Sequence, residues 1–109
     1  MEEQRRKNEE HEERKREAYA EKTQAQLKKW EAEIGELRAK ADMARADAKV
    51  TYHEQVERLH KKQEVIRAKL EEMSVAGRDA WNDLKVGIDE AVTDLSEAFK
   101  AARTKFKKD

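Results

Sequence analysis

The sequence predicts an all-α protein of long amphipathic helices, most simply a helical hairpin that forms a coiled coil or bundle by self-association. Three observations carry that reading. The 109 residues include no proline and only three glycines, so nothing removes a backbone N–H or clashes with a preceding helical turn. Charged residues make up 46% of the chain, while Leu, Ile, Val and Phe together are less than a fifth, too few to fill a globular core. The large apolar residues that are present recur at steps of three and four, the period of one helix face.

Charge and composition also narrow the function classes. Twenty-five acidic and twenty-five basic residues cancel, so no global field draws nucleic acid, and nucleic acid is not an expected partner. The absence of cysteine removes disulfide and thiolate chemistry. The opening Met-Glu-Glu-Gln-Arg-Arg has no apolar stretch, which leads to the expectation of no signal peptide, no membrane span and a cytoplasmic setting.

Residues 1–17 form a charged lead-in, helical or frayed, with no apolar residue after Met1. Glu2–Arg6, Glu3–Lys7, Glu10–Arg14 and Glu12–Arg16 are spaced i,i+4, and such pairs stabilise an isolated helix by roughly 0.2–0.5 kcal/mol each. The packing domain is expected to run over 18–109.

From 18 to about 75 the pattern is that of one helix. Leu27, Trp30, Ile34, Leu37 and Ala41, then Ala48, Tyr52, Val56, Leu59, Ile66, Leu70 and Met73, fall within about 100° of one helical wheel; Met43 and Val65 do not. The stripe starts in heptads and then steps 4, 4 through Tyr52 and Val56, a stutter that locally unwinds a supercoil. Its middle, Ala41 to Ala48, is built from alanine, so a partner can approach closely there but buries little area.

The only coincident stop and start signals lie at Ser74–Asp79. Gly77 suits the left-handed position that ends a helix, and Asp79 suits an N-cap. The stripe nevertheless passes through Gly77 to Trp81 in phase, so a turn and a continuous rod both stay open. Gly35 and Gly87 lack neighbouring caps and are read as helical. Residues 79–107 carry Trp81, Leu84, Ile88, Val92, Leu95, Phe99 and Phe106 on one face. They also fit an eleven-residue repeat in which Ala80, Ala91 and Ala102 coincide, as do Leu84, Leu95 and Phe106.

Those residues together form a helix-packing seam that has to be covered, since burying a large apolar side chain is worth roughly 1.5–3 kcal/mol. A helix of 79–107 folded back covers only half of 18–75. The part around Leu27 to Leu37 then needs a second molecule, which predicts a homo-oligomer, a dimer by preference, or another helical protein. A lipid surface is the rival. Residues 77–100 hold three basic groups against six acidic ones, the reverse of the basic polar face that interfacial helices carry. Arg103, Lys105, Lys107 and Lys108 with Phe106 suit either a lipid surface or a helix C-terminus.

No catalytic constellation stands out, and the expectation is a non-enzyme with no cofactor and no metal. His53, Glu57, His60 and Glu64 do share a helix face, and Glu57-Arg58-Leu59-His60 spells the E-x-x-H of di-iron bundles, whose metals need carboxylates and histidines projecting inward. Here there is one copy, at the edge of the stripe. Solvated boundary residues are the reading preferred, and metal binding stays open.

Trp30-Glu31-Ala32-Glu33-Ile34 with Leu37 and Lys40-Ala41, Ala46-Asp47-Ala48 with Tyr52, Ala80-Trp81-Asn82-Asp83-Leu84-Lys85 through Gly87, and Leu95 to Phe99 resemble a family of small bacterial coiled-coil proteins of uncharacterised or stress-responsive role. The resemblance covers about 18–106, and Gly35 departs from it where that family has a polar residue. It implies a non-enzymatic scaffolding or protective role and transfers no catalytic residue. The eleven-residue repeat is similar to apolipoprotein-like and late-embryogenesis-abundant helices, which implies lipid-surface binding as the alternative.

Overall fold

The chain reverses direction twice. The computed structural model describes residues 2–107 and forms them into three helices, α1 Glu2–Asp42, α2 Ala46–Ser74 and α3 Arg78–Lys107, with no strand among the described residues. Met1 of the lead-in, and Lys108 and Asp109 of the expected packing domain, lie outside them. No helix of the described residues is long and apolar enough to cross a membrane.

The two-helix hairpin is therefore corrected to three helices. The helix expected over 18–75 is broken at Met43–Ala44–Arg45, ahead of the stutter at Tyr52 and Val56. Met43 N–H still donates to Ala39 and Lys40 oxygens at 3.2 Å and Ala44 N–H to Ala41 O at 3.2 Å, a tightened last turn. Arg45 then leaves the helix with φ −62° and ψ 152°, and no side chain caps α2. No glycine, proline or positive φ is involved. The physical reason for the break is burial. Folding back within the alanine-built stretch 41–48, where a partner helix buries little area, gives up little local packing and lets Leu27, Trp30, Ile34 and Leu37 cover themselves with α2 and α3.

The second turn falls where stop and start signals coincide, by different chemistry. Gly77 does not adopt a left-handed conformation. It precedes the helix, its carbonyl accepting from Trp81 N–H at 2.8 Å, while Asp79 sits inside the first turn, where its charge suits the positive end of the helix dipole.

α1 and α2 run antiparallel, as do α2 and α3, leaving α1 and α3 parallel. Gln63 against Leu27 O sets the first register and Lys62 against Asp94 the second. Glu12 with Arg78, Trp30 with Phe99 and Glu33 with Arg103 set the third. The result is a rod of 68 × 18 × 18 Å. The lead-in of residues 2–17 is the start of α1. At about 1.5 Å per residue α1 is about 60 Å long against about 45 Å for its partners, so residues 2–11, all exposed, extend past the α2–α3 turn.

Candidate functional site

The stripe closes on itself within one chain. Leu27, Trp30, Ile34, Leu37 and Ala41 of α1, Tyr52, Val56, Leu59, Ile66, Leu70 and Met73 of α2, and Ile88, Leu95, Phe99 and Ala102 of α3 make one buried cluster. Trp81, Leu84, Val92 and Phe106 pack on its margin half-buried. The Leu27–Leu37 face, which on a hairpin needs a second molecule, is covered here by the chain's own α2 and α3. Met43 and Val65, off the stripe in sequence, are exposed, Met43 at 88%.

Periodicity of apolar residues missed two buried polar groups. Gln63, 2% exposed, lies in the middle of the core and donates from Nε2 to Leu27 O at 3.1 Å, tying α2 to α1 at one register. Thr23 returns its hydroxyl proton to Tyr19 O at 2.9 Å, which lets it sit on the apolar face. Polar residues on a stripe are the signal in both cases: Gln63 sits between Leu59 and Ile66, and Thr23 four residues before Leu27.

The densest polar arrangement spans the groove between α1 and α3. These two backbones are not drawn together as closely as each is to α2, and large side chains bridge the gap. Tyr19 donates to Asp89 Oδ1 at 2.6 Å and meets Trp81 edge-on, centroids 6.0 Å apart. Lys85 lies 5.1 Å over the Tyr19 ring and 3.1 Å from Asp89 Oδ2, and Arg16 lies 5.3 Å over Trp81. Arg16 also donates to Ala76 O at 3.3 Å across the second turn, and Arg78 donates to Glu12.

Electrostatics in this cluster follow from its partners. Burial, then the hydrogen bond to Asp89 and that carboxylate's charge, push the Tyr19 phenol well above its ordinary value. For Asp89, burial acts to raise the carboxyl, but the hydrogen bonds from Tyr19 and Lys85 and the charges of Lys85 and Lys22 outweigh it and hold the group below the usual carboxylate range. A phenol locked in its protonated form and a carboxylate locked in its ionised form make a clasp between helices.

The remaining sequence candidates are dispersed. His53 Nε2 sits 2.9 Å from Asp42 Oδ1, across the first turn, while Glu64 leans toward Arg67 at 3.9 Å on its own helix. Among the described residues no three His, Asp or Glu side chains converge as a metal would require. Phe106 stacks on Tyr52 at 4.3 Å, and Arg103, one turn earlier, pairs with Glu33 at 2.5 Å and lies over Phe99. The C-terminal end of α3 is thus held against the rod. Compared with family models, with curated proteins and with solved structures, the chain matches none.

Proposed function

We propose that the chain is a non-enzymatic structural and interaction protein, a charged rod that holds a helical arm clear of its own core. The observation that supports this most directly is the overhang of α1, whose residues 2–11 stay helical and exposed beyond the Glu12–Arg78 clasp. A polar helix gains nothing by packing on its own chain. Extending a packed helix, however, avoids the cost of nucleating a new one. The arm therefore offers interspersed Glu, Arg and Lys in ready-ordered form, the pattern by which charged helices select partners and register. Coiled-coil pairing is the mode of contact in this reading, and a stress-linked scaffolding or protective role is what the family resemblance adds to it.

Cross-linking inside cells, followed by mapping of the linked lysines, tests the proposal. Recurrent links from Lys7 and Lys15 to one protein are expected, lost on deletion of residues 2–11 while the melting temperature of the rod is unchanged. Recovery of the chain on membranes, with α3 labelled in place of α1, would replace this reading with the lipid-surface one. That alternative requires α3 to withdraw Ile88, Leu95 and Phe99 from the core.

A further inference from the structure

The geometry points to a second copy of this chain as a partner, joined by exchange of α1. In this state the turn at Met43–Arg45 straightens, α1 and α2 become one helix, and each α1 packs on the α2 and α3 of the other copy. The inference extends the interaction reading by naming one partner, and it stands on different residues from the arm.

The first support is the turn itself. Its sequence, Asp42-Met43-Ala44-Arg45-Ala46, contains good helix formers and none of the residues that stop a helix. The turn has no side-chain cap on α2 and no left-handed residue, and a side-chain contact across it, His53 Nε2 with Asp42 Oδ1 at 2.9 Å, joins α1 to α2 and can re-form between copies when α1 is exchanged. At Arg45 φ is already helical, and the departure is in ψ alone. Straightening gives the uncapped N–H groups at the start of α2 their ordinary partners one turn earlier.

The second support is phase. A hairpin places no demand on how the apolar faces of its two helices are related along the chain, because the turn reorients them. Here Ala41 and Ala48 nonetheless keep the stripe of Leu27–Leu37 in line with that of Tyr52–Met73 when the two are joined as one helix. That alignment is the condition for two such helices, about 110 Å long at 1.5 Å per residue, to lie antiparallel with every core residue facing its present neighbour type. The two-fold axis falls at Ala44, where Ala41, Ala44 and Ala48 let the backbones cross closely. No new interface is required, since the monomer's own contacts are reused between copies, the feature that makes domain exchange a low-cost route to dimers.

The test is the mass of the full chain by light scattering on a sizing column. The protein is concentrated toward millimolar, warmed below its melting temperature, cooled and diluted. A species of twice 12.8 kDa is expected, slow to dissociate, with unchanged near-ultraviolet circular dichroism. The decisive variant is Ala46→Pro. Ala46 is exposed at the first position of α2, where proline needs no N–H, and the extended Arg45 before it is the conformation a following proline prefers. In the joined helix the same proline breaks a backbone bond and clashes, and the dimer carries two such helices, so the dimerisation constant should fall by roughly ten-thousandfold. A glycine-serine-glycine insertion after Ala44, which lengthens the turn, serves as the second variant and should also remove the dimer. A wild-type chain that stays at single mass under all conditions overturns the proposal. So does a dimer that persists in both variants, which would mark a surface contact without exchange. Neither result touches the arm, whose cross-links from Lys7 and Lys15 are read separately.

Discussion

Phe99→Ala tests the packing of α3 on the other two helices. Phe99 is 1% exposed, stacks on Trp30 with centroids 5.9 Å apart and planes 18° from parallel, and carries the Arg103 guanidinium 5.6 Å above its ring. Truncation of a buried phenylalanine costs about 3–5 kcal/mol in lost transfer and cavity terms. A domain of this length is stable by roughly 5–15 kcal/mol in all. The substitution thus removes about a fifth or more of the total, and at about 4–8 °C per kcal/mol it lowers the melting temperature by more than about 12 °C. Urea titration followed by helical circular dichroism measures the first quantity, and a thermal melt the second. Val86→Ala, at an exposed α3 position, should change stability by less than about 0.5 kcal/mol. A loss below about 1 kcal/mol for Phe99→Ala would refute the docking of α3 against Trp30, because a ring in water has no such burial to lose.

Three other substitutions probe separate parts of the rod. Gly35→Ala should stabilise by about 0.5–1 kcal/mol in urea, since a Cβ there meets nothing within 4 Å and alanine gives up less backbone entropy. Tyr19→Phe removes the proton shared with Asp89 and should cost about 0.5–1.5 kcal/mol, a partly exposed bond being worth no more. Asp89→Asn should flatten the acid limb of the stability profile. A carboxyl held below its ordinary range contributes stability that is complete above about pH 4 and is lost as pH falls through its folded-state value. At the alkaline end Tyr19 acts in the opposite sense. Its raised phenol contributes below about pH 10 and the contribution is lost above it, so Tyr19→Phe should be the more resistant of the two to high pH.

The clasp between α1 and α3 illustrates how a site of this kind hides in a sequence. Arg16, Tyr19, Trp81, Lys85 and Asp89 are spread over two segments more than sixty residues apart. Trp81 belongs to the apolar stripe and Tyr19 lies on its extension eight residues before Leu27, while Arg16, Lys85 and Asp89 look like ordinary solvated positions of charged helices. They become a cluster because α1 and α3 are parallel neighbours in one register, which depends on there being a third helix between their ends.

Helix content and the identity of the buried face were determined by the sequence alone, for local reasons, and the coincident stop and start signals at Ser74–Asp79 marked where a second turn could fall. Proline-free, alanine- and glutamate-rich segments favour helix within a few turns, and spacings of three and four put Leu27 through Met73 and Trp81 through Phe106 on one side whatever they pack against. The first turn was a tertiary decision. Met43 to Arg45 contains no breaker, and its stripe holds phase, so no local preference marks a reversal there. It forms because folding back buries Trp30 against Phe99 and Leu27 beside Gln63 within one chain. The gain from that burial is set by residues thirty to seventy positions away, and it outweighs the few backbone bonds that a straight helix would have kept.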